Sequence, residues 1–338
     1  MDVDELVSAL KKPDSYDENT SSVTMVQTHI SFVFLTDRFV YKVKKPVDFG
    51  FLDYTTLDKR KHYCEEEIRL NRPLCGDMYV GVSTVNLNAK GEVKIDGDGA
   101  VVEYAVKMRR LPDDAIMTEL LKNKKVGKKH LKTIAQLLAE FHKNAKTGAG
   151  VDECGTLEQI HENWVQNFEQ TKPHRGSLIP AEKFDYVEKK ILAFMEKNKD
   201  LFNERVQNHR IRQCHGDVHS GNIFILQNGE TYIFDAIEFF KGFSCCDVAS
   251  EIAFLAMDLE FQGEKELSDY FVKEYIGFGG DGGVKGLLDF YRCYRAYVRA
   301  KVIGFKVFDT DVGLEEKNES KTLVKEYFGL AHSYASRL

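Results

Sequence analysis

A chain of 338 residues exceeds what one modest hydrophobic core usually fills, so two compact parts are expected. With 43% hydrophobic and 30% charged residues, 25 Gly and only 6 Pro, the composition excludes extended disorder, collagen and low-complexity chains. A formal net charge of −6 argues against wholesale adhesion to nucleic acid or an anionic membrane, and neither is expected as a partner. No stretch approaches eighteen uninterrupted apolar residues, and the opening MDVDELVSALKKPDSYDENT is acidic where a secretory leader would be basic and then apolar. A cytoplasmic protein is the expectation. The seven cysteines are odd in number and scattered, with no C-x-x-C pair, and read as small buried hydrophobes in a reducing compartment.

From Val23 to Lys45 the chain is rich in β-branched and aromatic residues, with Thr36-Asp37-Arg38 as a polar turn, which predicts a hairpin ahead of Pro46. A helix follows, begun at Thr55-Thr56 and closed by Pro73. Met78 to Val85 and Gly91 to Met108 read as further strands, with Asn86, Asn88 and Asp96 to Gly99 in turns. After Pro112 the texture turns helical: Ile116 to Leu121, Leu131 to Lys146, Leu157 to Gln170, Ala181 to Asn208 and most of Val248 to Leu338 carry helical periodicity. One stretch interrupts it, from Gln213 to Phe239, where polar loop residues alternate with the strand-like segments 223–226 and 231–234.

That insert reads CHGDVHSGNIFILQNGETYIFDAIEF. It sets Asp217, Asn222 and Asp235 on the edges of a loop, strand, turn and strand, so three oxygen-bearing side chains can converge at one end of a small hairpin. Such ligands suit a hard cation such as Mg²⁺, which keeps several waters and bridges to substrate phosphates. The chemistry suggested is phosphoryl transfer.

At these residues the chain resembles the aminoglycoside phosphotransferase and choline kinase families of the protein-kinase-like fold. The resemblance rests on His215-Gly216-Asp217, on Asn222 five positions later, and on Asp235 after a hydrophobic strand. It implies an α+β, two-lobed fold: a small antiparallel-sheet lobe with one main helix (1–108) and a larger, mainly helical lobe (109–338) holding the catalytic and acceptor-binding groups. It further implies Asp217 as base or orienting carboxylate, His215 orienting the loop by hydrogen bonding, and Asn222 and Asp235 as Mg²⁺ ligands. Lys42 resembles the phosphate-binding lysine of a third strand, with Val40 over adenine; Lys44 shares its face and is the rival. Such a lysine is usually held by a helix glutamate. Glu65, Glu66 and Glu67 are all available, and Glu66 is the choice made here. The backbone of Lys107, Met108 and Arg109 is expected at the adenine edge. Leu137 to His142 resembles the L-x-x-x-H stretch before the catalytic loop, and Asp247 the helix-start aspartate that anchors that loop. The first hairpin lacks G-x-G-x-x-G. Lys45 to Asp53 (KPVDFGFLD) and Asp247 to Asp258 look closest to an uncharacterised bacterial branch of these phosphotransferases.

Rival readings attach to the same residues. His215-x-Asp217-x-His219 imitates part of a metallophosphoesterase or zinc site, but no downstream G-N-H-E or H-x-H completes it. His219 is expected to pack instead. Glu238 reads equally as a metal or substrate contact or as a carboxylate paired to a nearby base. Arg292, Arg295 and Arg299 fall at i, i+3 and i+7 of a helix; they either receive an anionic acceptor or pair with Asp247, Glu251 or Asp258. The expected activity is transfer of the γ-phosphoryl group of ATP or GTP, with Mg²⁺, to a hydroxyl of a small molecule. The alternatives are a nucleotide-binding pseudokinase and a protein kinase-like enzyme, the latter disfavoured by the short stretch from Asp235 to Asp247. Acceptor identity and oligomeric state are not read from the sequence.

Overall fold

The computed structural model describes residues 1–279, 281–310 and 312–338. The chain opens with α1 (Val3–Leu10), then runs through β1 (Thr24–Gln27), β2 (Ser31–Leu35), β3 (Phe39–Lys44), α2 (Leu57–Cys75), β4 (Tyr79–Leu87), β5 (Val93–Ile95) and β6 (Ala100–Arg109). Helices α3 (Met117–Lys122), α4 (Lys128–Asn144), α5 (Leu157–Thr171), α6 (Ala181–Lys197) and α7 (Lys199–Gln207) follow, then β7 (Ile211–Gln213). The insert supplies β8 (Ile223–Ile225), β9 (Thr231–Ile233), the short α8 (Lys241–Ser244) and β10 (Cys245–Asp247). Four helices close the chain: α9 (Val248–Phe261), α10 (Lys265–Gly279), α11 (Val284–Phe308) and α12 (Leu314–Ala335).

These elements form two compact units, each discontinuous in sequence. The first comprises Met1–Ile116 and Asn222–Ser244; the second comprises Met117–Gly221 and Cys245–Leu338. This division differs from the expected one at residue 108. Its cause is apolar burial: Tyr232, Phe224, Leu226 and Phe234 of the insert pack with Cys64, Ile68, Met78, Val106 and Met108, so β8 and β9 belong to the first unit.

In the first unit a six-stranded antiparallel sheet has the order β1-β2-β3-β6-β4-β5. The β2–β3 turn falls where Thr36-Asp37-Arg38 predicted it, and Thr36 closes it by accepting from Phe39 N at 3.1 Å through its hydroxyl. The N-terminal helix α1 was not expected from the sequence. Its Asp2 side chain accepts from Glu5 N at 2.7 Å, and Leu6 and Leu10 join the core of Phe34, Tyr41, Val43 and Val85. Helix α2 begins at its cap Thr56 and runs two residues beyond Pro73. A proline in the last turn disrupts little helix beyond itself, and Gly76, at φ 47°, ends the element by donating to Arg72 O.

In the second unit, α9 is buried on every face from Val248 to Leu259, the pattern of a helix at the centre of a core rather than at its surface. Around Trp164 gather Phe168, Phe290, Tyr294 and Tyr297, with ring centroids 5.2–6.1 Å away. Among the described residues no helix is long and apolar enough to cross a membrane.

Arg205 of α7 is buried between two carboxylates, donating to Asp247 at 2.6 and 2.8 Å and to Asp281 at 2.8 and 2.9 Å. Removing the shared cation strands two buried anions. Arg205→Met is expected to lower the unfolding free energy by about 3–5 kcal/mol in urea titrations at pH 7; a loss under about 1 kcal/mol, typical of exposed pairs, would refute this assignment.

Candidate active site

The alternation of β3 places Lys42 and Lys44 on one face, as expected, and the structure engages both. Glu67 of α2 takes Lys42 Nζ on Oε1 at 2.9 Å and Lys44 Nζ on Oε2 at 2.8 Å. Lys42 also donates to Asp235 Oδ1 at 2.7 Å. Lys44 also bonds Glu238, which accepts from the Tyr54 hydroxyl at 2.7 Å. Burial alone would strip charge from these lysines, yet the neighbouring carboxylates override it, Asp235 foremost for Lys42 and Glu238 for Lys44; both ammoniums are held well above the ordinary lysine value. Burial likewise opposes ionisation of Glu67, and the two ammoniums overcome it, keeping its carboxyl below the ordinary range.

The choice of Glu66 is therefore corrected to Glu67. Glu66 faces outward and pairs with Arg69 one turn on, at 2.8 Å. The buried stripe of α2 runs through Arg60, Cys64, Glu67, Ile68 and Asn71, and Glu67 lies on it because it stands three residues after Cys64. Glu238 is the carboxylate paired to a base, buried and bound to Lys44.

Asp235 is fixed through its backbone. Its φ of 67° is rare outside glycine, and the N–H groups on both sides of it are tied. Phe234 N donates to Asn222 O at 3.0 Å, Asp235 N to the Tyr79 hydroxyl at 3.2 Å, and Ala236 N to Asn71 Oδ1 at 2.9 Å. The first of these bonds brings Asn222 beside Asp235. Two ammoniums thus face three carboxylates, and the excess negative charge falls on Asp235, whose side chain is 47% exposed where Glu67 is wholly covered. An amide oxygen and a half-exposed carboxylate fit a hard divalent ion that keeps waters and phosphate oxygens as its other ligands.

In the second unit the His215-Gly216-Asp217 loop is held residue by residue. Gly216, at φ 90°, donates its N–H to Glu251 Oε1 at 2.7 Å and receives Arg295 Nη1 on its carbonyl at 3.0 Å. Ser220 N donates to Asp258 Oδ2 at 2.8 Å. Glu251 and Asp258 stand seven residues apart on α9, so one helix face grips the loop twice. His142 of α4 completes the anchor, with Nε2 2.5 Å from Glu251 and Nδ1 2.7 Å from the Tyr275 hydroxyl. Asp247, expected to anchor the loop, instead caps α9 through Ala249 N and binds Arg205; Glu251 and Asp258, read in the sequence only as partners for the arginines, hold the loop in its place.

His215 is fully buried and accepts Asp217 N on Nδ1 at 3.3 Å. His219 packs on Phe254, and Gly221 N donates to its Nδ1, which leaves the proton on Nε2, 3.5 Å from Asp217. Burial pushes the Asp217 carboxyl up, but its hydrogen bond to His219 and the charges of His219, His215 and Arg299 together pull it well below the usual carboxylate range. Among the described residues, the group of three His, Cys, Asp or Glu side chains close enough to share a metal is His142, Cys214 and Glu251, and it does not include His215, Asp217 or His219.

No family profile matches the chain. Uncharacterized proteins Rv2004c of Mycobacterium tuberculosis and Mb2027c of Mycobacterium bovis are each 32% identical over 276 residues, 82% of this chain and 53% of theirs. The chain spans about half the length of the curated relatives it matches. Among solved structures, the GDP complex of aminoglycoside 2'-phosphotransferase-IIIa superposes with a TM-score of 0.57 at 14% identity, over 96% of this chain and 98% of that one. A choline/ethanolamine kinase family protein from Mesorhizobium loti gives 0.54 at 9% identity, over 99% and 100%. The chain has a protein-kinase-like fold.

Within this kinase-like fold, Lys107 and Met108 do not present a free edge. Both lie in the interior of β6, flanked by β3 on one side and β4 on the other, and the Lys107 ammonium sits over the Phe39 ring at 4.5 Å. Arg109 ends the strand and pairs with Asp77. The KPVDFGFLD segment delivers Tyr54 to Glu238, and its Phe51 ring meets those of Phe239, Phe240 and Phe243 at 5.9–6.3 Å.

Folding lowers the Glu67 pKa, so its stabilisation is complete above the ordinary glutamate value of 4.5 and is lost as pH falls through the folded value. Urea unfolding between about pH 6 and pH 3 is expected to show a shallower pH slope for Glu67→Gln than for the unsubstituted chain, together with a loss of about 3–5 kcal/mol at pH 7. Parallel pH profiles would overturn it.

Proposed function

We propose that the protein moves the γ-phosphoryl group of ATP or GTP, with Mg²⁺, to a hydroxyl of a small molecule. The observation that carries this reading is Lys42, gripped at once by Glu67 and by Asp235 at 2.9 and 2.7 Å. A buried lysine fixed by two carboxylates is an oriented cation for phosphate oxygens, and the same Asp235 lies beside Asn222 as an oxygen donor pair for metal. The superposing structures support it in kind: one is a GDP complex of a phosphotransferase, another a choline/ethanolamine kinase family protein, a third an ethanolamine kinase of Plasmodium vivax.

In this scheme Lys42 holds donor phosphates, Lys44 and Glu238 keep Glu67 in place, and Asn222 and Asp235 hold Mg²⁺, which supplies neutralisation of phosphate charge. Asp217 receives the acceptor hydroxyl. Because its carboxyl is held so far below the ordinary value, it is a weak base, and its main work is to orient the hydroxyl toward phosphorus. Phosphoryl transfer through a loose transition state asks little early proton abstraction, so a weak, always ionised carboxylate suits the task.

Asp217→Asn is expected to keep the thermal shift produced by Mg²⁺ and nucleotide while lowering turnover about 10²–10⁴-fold. Asp235→Ala is expected to abolish the part of that shift that depends on Mg²⁺. Full activity in Asp217→Asn would remove it from the reaction. Nucleotide binding without transfer to any member of a metabolite panel would favour the nucleotide-binding regulator instead.

A further inference from the structure

The arginine stripe of α11 resolves unequally. Arg292 lies 3.2 Å from Glu260 and 3.4 Å from Asp289, and donates to the Ser268 hydroxyl at 3.0 Å. Arg295 is consumed by the carbonyls of Gly216 and Ser250 at 3.0 and 3.2 Å, with Phe254 beneath its guanidinium. For these two the pairing alternative holds, though with partners other than those the sequence offered. Arg299 differs. No ion pair to a described carboxylate is formed within 4.0 Å of it, and its Nε is buried without a hydrogen-bond partner.

The surroundings of Arg299 are built to hold a flat cation in place. Its guanidinium lies over the Tyr327 ring at 5.5 Å, and that ring is stacked on Phe261 with centroids 3.8 Å apart. It stands one helical turn beyond Arg295, which grips Gly216, the residue before Asp217. Its positive charge is felt by the Asp217 carboxyl, and Asp217 and Asp258 act on it in return. A guanidinium that has shed much of its water, is tied to Tyr327 by its ring and a hydrogen bond, faces no carboxylate at contact distance and lies one helical turn from the arginine that grips the Asp217 loop is a receptor for an oxyanion.

We propose that Arg299 binds an anionic group, a carboxylate or a phosphate, carried by the small molecule whose hydroxyl Asp217 orients. The proposal rests on the phosphotransferase reading and narrows its acceptor class: a polycationic acceptor is excluded, because Arg299 would repel it. The competing role for Arg299 is to balance Asp217 and Asp258 with no ligand of its own.

Calorimetric titration of the full chain with glycerol, glycerate and glycerol phosphate, without nucleotide, separates these roles. The three probes share a polyol frame and differ in charge. Glycerate or glycerol phosphate is expected to bind at least about tenfold more tightly than glycerol, and whichever is tighter identifies the oxyanion. Arg299→Gln is expected to erase that preference and Arg299→Lys to retain part of it, with melting curves reporting whether each variant is folded; should Arg299→Gln fail to fold, the graded loss in Arg299→Lys decides. Equal binding of the three probes, no binding of any, or an Arg299 variant that leaves the charge preference intact overturns the proposal. A charge preference that disappears in the variants, in a protein that transfers phosphate to nothing, would instead sink the phosphotransferase reading and leave the anion site standing.

Discussion

Two lysines spaced for one face of a buried strand impose the constraint on which the first unit is arranged. Neither ammonium can leave water without an anion, and a single glutamate with two oxygens answers both. Sharing Glu67 fixes the rotation of α2, since the helix must present that residue, and with it Asn71, toward β3 and the insert. Asn71 then holds the backbone beside Asp235, and the outer carboxylates Asp235 and Glu238 close the series at either end. The arrangement orders Lys42, Asp235 and the helix between them through one set of contacts.

The second unit solves a different problem, that of holding a polar loop without strands. Its N–H groups are satisfied by carboxylates projected from a buried helix, and its one left-handed glycine is gripped on both its donor and its acceptor. Glu251 is in turn secured by His142. The histidine that closes the L-x-x-x-H stretch therefore acts through Glu251 on the backbone of Gly216, the residue before Asp217.

Much of this was legible in the chain. The H-G-D loop, Asn222 and Asp235 carried the resemblance that implied the fold, and the alternation of β3 put both lysines on one face. What escaped had physical reasons. Glu67 was distinguishable from Glu66 by the stripe that begins at Cys64, but three adjacent acids look alike until a partner selects one. Glu251 and Asp258 sit in a helix apolar all round, where a carboxylate gives no periodic signal. Helix α1 carried its own mark, Asp2 followed three residues later by Glu5, yet it is only eight residues long and is stabilised by the sheet it packs on. Lys107, Met108 and Arg109 were expected to offer backbone groups to the edge of adenine; Lys107 and Met108 lie inside β6, which runs to Arg109, with β3 and β4 on either side.

The interleaving of the two units has a consequence for synthesis. The sheet and α2 leave the ribosome well before β8 and β9, and the whole of Met117–Gly221 must be translated in between. For those seconds Cys64, Ile68 and Met108 lack the aromatic cover that Phe224, Tyr232 and Phe234 later provide, and the lysine pair lacks two of its three carboxylates. The nascent sheet therefore waits, with that cluster uncovered, for a hairpin made late, and the moment that hairpin docks is the moment Asp235 and Glu238 first reach the two lysines.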